Sequence, residues 1–163
     1  DMMDTGSPTC TIVGYGMKEP DASWTPQSLA IGGFVLNLGD GRPFPNCVLE
    51  VAYLNESLRT LRAELHGWIS AFTSVRVAIG IKIFGQRTNG TRRMLALVYR
   101  RGVANPEQEV EFGTTLPTAA GLQLTIQVAD LYHGTALPPG YAVGDTLAID
   151  LAALQRRILS TLP

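Results

Sequence analysis

Residues 45–69 read PNCVLEVAYLNESLRTLRAELHGWI, and the hydrophobic period changes inside them. Over 46–53, six apolar residues surround one charge, Glu50, which predicts a strand. Beyond Glu56 the pattern turns helical. Leu58, Leu61, Leu65, Trp68 and Ile69 share one stripe, and Ser57 is placed to cap the N-terminus of a helix over 57–69. Downstream, residues 75–84 (VRVAIGIKIF) alternate, with Val75, Val77, Ile79, Ile81 and Ile83 on one face and Lys82 on the other. Thr88-Asn89-Gly90 is a hairpin signal, and 92–101 is the returning strand. Residues 122–129 alternate again, and 150–162 reads as an amphipathic helix capped by Asp150. Upstream lie short β-prone runs at 11–15 and 22–25, with a turn at 39–43. This order predicts an α/β (α+β) domain with a single central mixed β-sheet flanked by helices.

The chain has 163 residues, the size of one domain, and 45% of them are apolar, enough for a core. No apolar run approaches the ~18 residues of a membrane helix. The opening DMMDTGSPTC is acidic and polar, unlike a signal or transit peptide, and is expected to be an internal cut of a longer chain. Two cysteines without a CxxC, and two histidines, argue against structural zinc. Cys47 is expected in the core, and the compartment is expected to be reducing and intracellular, cytoplasm or nucleus. Two glycosylation sequons, at Asn55 and Asn89, are of a kind that arises by chance. The net charge of −1 gives no global pull on nucleic acid, but the charges are segregated. Residues 1–56 hold seven acids and two bases, whereas 82–101 hold six bases and no acid. That segregation reads either as two solvated faces or as a carboxylate cluster for a metal beside a basic strip for phosphates.

Glu50 is the unusual charge. A lone carboxylate in mid-strand is costly to bury unless paired or metal-bound; the plain alternative is a sheet-edge residue facing water. Asp21 follows Pro20 at the start of the short upstream strand. Two carboxylates on adjacent strands can converge on a divalent cation, and Mg²⁺ asks for one or two carboxylates, waters and a phosphate oxygen. Alone, Pro20-Asp21 is an ordinary turn.

These pieces, Lys18-Glu19-Pro20-Asp21-Ala22-Ser23 and Pro45-Asn46-Cys47-Val48-Leu49-Glu50-Val51, followed by the helix and the strand over 75–84, resemble the PD-(D/E)XK restriction-endonuclease-like superfamily. The likeness is closer to its branch of endonuclease-like domains with a Pro-Asp strand start and a Glu-Val strand preceded by Pro. It covers roughly residues 8–85. The resemblance implies a restriction-endonuclease-like core at 8–101 with a C-terminal extension at 102–163, all one domain. It also implies a Mg²⁺ or Mn²⁺ ion held by Asp21 and Glu50, and metal-dependent hydrolysis of nucleic-acid phosphodiesters, with DNA the expected substrate. Relatives often act as homodimers and place a helix before the first strand, and the resemblance leads to the expectation that this helix is absent or truncated here.

The superfamily pattern wants a lysine two residues after Glu50, where this chain has Ala52. In the related branch the lysine moves onto the following helix, near Arg62 to Glu64, and no lysine lies there. Arg62 keeps the charge but cannot shuttle a proton. Glu64 is either an extra carboxylate or a helix-face residue. Lys82 and Lys18 are the two candidate replacements, and Lys82, Arg87, Arg92, Arg93 and Arg62 are the candidate phosphate contacts. The branch tends to carry Asp where this chain has Asn46. These departures leave an alternative: an inactive nuclease-fold module that binds nucleic acid or protein. His66 reads as a partly exposed surface histidine on the helix beside Trp68, and His133 falls in a loop with no second ligand at helical or strand spacing. Gly14-Tyr15-Gly16 lacks the third glycine of a dinucleotide fingerprint, and neither a P-loop nor a nucleophile elbow is present.

Overall fold

A computed structural model describes residues 1–27, 29, 42–114 and 121–162. The chain forms β1 (Met2–Asp4), β2 (Cys10–Ile12), β3 (Gly16–Lys18), β4 (Ala22–Pro26), β5 (Cys47–Tyr53), α1 (Leu58–Trp68), β6 (Val77–Ile83), β7 (Arg93–Arg100), β8 (Gln108–Gly113), β9 (Gln123–Gln127), α2 (Val128–Leu131), β10 (Thr146–Asp150) and α3 (Leu151–Thr161). Six strands make one mixed sheet in the order β1-β4-β5-β6-β7-β8. Only β5 and β6 are parallel, because α1 carries the chain back across the sheet between them. The architecture is α+β.

The two faces of the sheet bury separate cores. Val48 and Ala52 of β5, Ala78 of β6 and Leu95, Leu97 and Tyr99 of β7 pack against Leu61, Leu65 and Trp68 of α1. Cys10 and Ile12 of the β2–β3 hairpin join this core. On the other face, Cys47, Val77, Ile79, Ile81 and Ile83 pack against Leu124, Ile126, Leu131 and Leu151 from the C-terminal segment. Both faces are covered, so every residue of β6 is buried. Helix α1 reaches β6 at Gly80, where a Cβ would lie 2.5 Å from Leu65 Cδ1.

The expected helix and its cap match: Ser57 Oγ accepts from the Thr60 N–H at 3.0 Å. Asp150 likewise caps α3. Five expectations need correction. The sheet is not single, since β2–β3 and β9–β10 form two further two-stranded ladders. The run at 11–15 is a hairpin rather than a strand, because Gly14 and Gly16, both at φ +80°, turn the chain at its tip. Val75 precedes β6 and packs with the α1 core, away from Val77 and the isoleucines. The strand expected over 122–129 stops at Gln127 and passes into α2. The sheet also extends outside 8–101, through β1 and β8. Of the expected turn at 39–43, residues 39–41 lie outside the described residues.

Side chains tie the C-terminal segment to the sheet. Gln108 acts as an extra ladder rung: its amide donates to the Thr125 carbonyl at 2.6 Å and accepts from the Thr125 N–H at 2.9 Å. Asn46, fully buried, donates to the carbonyls of Leu131 and His133 at 2.8 and 3.0 Å. Asp130 of α2 is buried between Arg100, at 2.5 Å, and Arg76, at 3.3 Å.

Candidate active site at the Asp21 and Glu50 strands

The β4–β5 ladder runs Trp24↔Cys47, Ser23↔Val48 and Ala22↔Leu49, and Asp21, expected to begin the strand, lies just before its first residue. Alternation places Glu50 on the same face as Val48 and Ala52, the face covered by α1. Asp21 lies near enough for its charge to act on Glu50. Asp21 Oδ2 accepts from the Val51 N–H at 2.6 Å, which fixes Asp21 against β5. Glu50 is only 9% exposed, and its Oε1 accepts from the Trp68 indole N–H at 2.5 Å.

Glu50 is not an edge residue facing open water. Burial pushes its carboxyl up to about 7, the indole hydrogen bond pulls it down, and the charges of Glu64 and Asp21 push it up again, with Lys18 opposing them. It lines a cleft of about 390 Å³ shared with Tyr15, Met17, Lys18, Glu19 and Glu64. Lys18 Nζ lies 3.7 Å from Glu64 Oε1 and 5.8 Å from the centre of the Trp68 ring. Lys18 thus stands within the cleft, brought there by β3.

Lys82 sits elsewhere on the same face. In the parallel β5–β6 register it is the partner of Ala52, the position where the superfamily pattern has lysine. Its side chain is 3% exposed, and Nζ donates to the Leu54 carbonyl at 3.2 Å. Leu54 holds φ +48°, a left-handed conformation uncommon for leucine, so this lysine fastens a strained turn between β5 and α1. That turn carries Glu56, whose carboxyl is pushed up by burial, by the charge of Glu64 and its hydrogen bond to Glu56, and by Asp21, with Lys82 opposing. Burial pushes the Lys82 ammonium down, and Glu56 offsets part of this.

Sequence reasoning missed Glu56 and the Trp68 indole. The signal for Glu56 was its place just past the carboxyl end of a parallel strand, where α/β sites gather. Trp68 gave no signal as Glu50's partner beyond its place on the apolar stripe of α1.

Arg62 does not join the site; its guanidinium binds both oxygens of Glu109 at 2.9 and 2.8 Å. The basic residues of 82–101 do not form a free strip either. Arg93 pairs with Glu111 at 2.8 Å and lies 4.7 Å from the Phe84 ring centre. Arg92 is buried, donates to the Phe84 carbonyl and stands over the Tyr53 ring. Arg100 pairs with Asp130, and Arg101 donates to the carbonyls of Val75, Ser70 and Thr73. Arg87 is exposed at the β6–β7 turn. Asn46 does not face the cleft: its amide holds Leu131 and His133, a task an aspartate could not perform because it has no N–H to donate.

No protein-family model, no curated protein and no solved structure matches the chain.

Among the described residues no three His, Cys, Asp or Glu side chains cluster closely enough to hold a metal ion alone. A hard cation of the Mg²⁺ type needs less: one or two carboxylates, with water and a substrate phosphate completing the shell. Asp21 and Glu50 each have one oxygen engaged by an N–H donor, and the charge of Asp21 acts on Glu50. The donor chemistry fits such an ion.

Proposed function

We propose that the cleft beside Asp21 and Glu50 hydrolyses phosphodiester bonds of nucleic acid with Mg²⁺ or Mn²⁺, on a restriction-endonuclease-like core. The observation that carries this reading is the buried Glu50 carboxylate lining a polar cleft, with Asp21 near enough for its charge to act on it. Glu50, pushed up first by burial and then by the charges of Glu64 and Asp21, lines this cleft with Lys18, while Asp21 is held by the Val51 N–H of β5. A bound Mg²⁺ would supply Lewis-acid polarisation of the phosphate and a more acidic water.

The chain's own residues do the rest. Asp21 and Glu50 hold oxygen ligands at fixed positions, because backbone and indole N–H groups orient them. Lys18 brings a positive charge and donors to the cleft, where it can hold a phosphate oxygen or orient water. Lys82 acts through the turn, keeping Glu56 and the end of β5 in place. Burial of Glu50 makes its charged form costly unless a cation or a proton neutralises it.

A second reading, a module that binds without cutting, is favoured by Ala52 and by the engagement of Lys82 with a backbone carbonyl. One experiment separates them. Wild type, Asp21→Ala and Glu50→Ala are incubated with plasmid and single-stranded substrates in Mg²⁺ or Mn²⁺. Cleavage by wild type that falls by about a hundredfold or more in each variant supports the nuclease. Equal cleavage in all three means a contaminant and ends it, and no cleavage by any leaves the binding module.

A further inference from the structure

We propose that Tyr15, presented at the tip of the β2–β3 hairpin beside the Glu50 cleft, is a stacking platform for an unpaired base, so that the substrate is single-stranded nucleic acid. The inference deepens the nuclease reading of that cleft and rests on it.

Gly14-Tyr15-Gly16 is the motif that carries it. Both glycines adopt φ +80° with nothing within 4 Å of where a Cβ would be, so the backbone turns freely around the one side chain between them. The Tyr15 N–H donates to the Ile12 carbonyl at 3.0 Å and closes the turn. From below, the ring is held by α1: a Cβ on Gly67 would lie 3.0 Å from Tyr15 Cδ1. The glycine leaves room for the ring to lie flush on the helix. Yet Tyr15 remains 46% exposed, and Met17, two residues on, is 77% exposed. Both line the cleft that holds Glu50 and Lys18. A fixed aromatic ring, half-open to solvent next to a phosphodiester site, is suited to a base.

The choice of an unpaired strand follows from the charges. A duplex is gripped mainly through its phosphates by lysine and arginine. Here the cations of the middle stretch are largely engaged inside the protein, and the cleft itself carries Glu19, Glu50 and Glu64. Stacking supplies affinity without that charge, and only an unstacked base offers its face.

The test measures anisotropy of a fluorescein-labelled oligothymidylate in Ca²⁺, with an oligouridylate arm and a duplex arm, for wild type, Tyr15→Ala, Tyr15→Phe and Met17→Glu. Wild type is expected to prefer either single strand over duplex. Tyr15→Ala should weaken strand binding about tenfold or more while Tyr15→Phe stays within about twofold. Met17→Glu, at a position too exposed to unfold the chain, should weaken it in the same direction. Duplex preference by wild type, no strand binding by wild type, or equal strand binding in Tyr15→Ala, Met17→Glu and wild type overturns the proposal. Carboxylate-dependent cleavage with no effect of Tyr15 would leave the nuclease standing and this platform refuted. Tyr15-dependent strand binding without cleavage in Mg²⁺ or Mn²⁺ would do the reverse.

Discussion

At the level of single residues, Glu50 and Asn46 show how burial assigns tasks. Burial, helped by the charges of Glu64 and Asp21 and opposed by the Trp68 indole hydrogen bond, holds the proton of Glu50 up to about pH 7. The folded protein binds that proton more tightly than the unfolded chain, whose glutamate titrates near 4.5. The stabilisation is complete below about 4.5 and is lost as the pH rises through about 7. Without divalent ions, the melting temperature should therefore fall between those pH values. Glu50→Gln, which can still accept from the indole, should flatten that fall, and an unchanged slope in the variant would exclude Glu50 as its source. Asn46 is legible only in the structure. Its sequence neighbours mark a strand start, whereas its two donors reach carbonyls 85 and 87 residues away. Asn46→Asp removes both donors and brings in a buried carboxyl, and should cost about 2–4 kcal/mol in urea unfolding.

Among the elements, β5, α1, β6 and β7 follow from local pattern, because their hydrophobic periods and caps agree with their burial. The short strands do not. β1 has three residues, and β10 is mostly exposed, so neither has a face whose alternation could be read. β8 pairs with β7 through a stretch that reads QEVEFG, with too much charge to stand out. The contact of α1 with β6 explains why a glycine sits in an otherwise Val- and Ile-rich strand: Leu65 and Leu61 occupy the space of its side chain. Gly80→Val should overpack that layer and destabilise the fold by about 1–3 kcal/mol, read as a lower midpoint in urea with an unchanged slope. No loss would mean that α1 can shift without penalty. The same layer carries Trp68 beneath Glu50, so packing and site geometry are set together.

Across the whole molecule, charge segregation along the chain proves a poor guide to charge in space. The bases of 82–101 meet Glu111, Glu107, Asp130 and several carbonyls once strands pair, and pairings of that range are invisible in a linear reading. The acidic first third behaves differently. Glu50, Glu56 and Asp21 come together from three elements, because the β4–β5 register and the β5–α1 turn bring them to one end of the sheet. Of the residues that the sequence singles out, Glu50, Glu64 and Lys18 line one cleft, and Asp21 acts on Glu50 through its charge. The cation itself is the central claim, and its binding is measured most directly by titrating the protein with Mn²⁺ at pH 7.5 while following the spin resonance of the free ion. The account predicts saturable uptake at one site, weakened about tenfold or more by Asp21→Asn and by Glu50→Gln. Absence of uptake by wild type at millimolar Mn²⁺, or equal uptake by all three proteins, would contradict it.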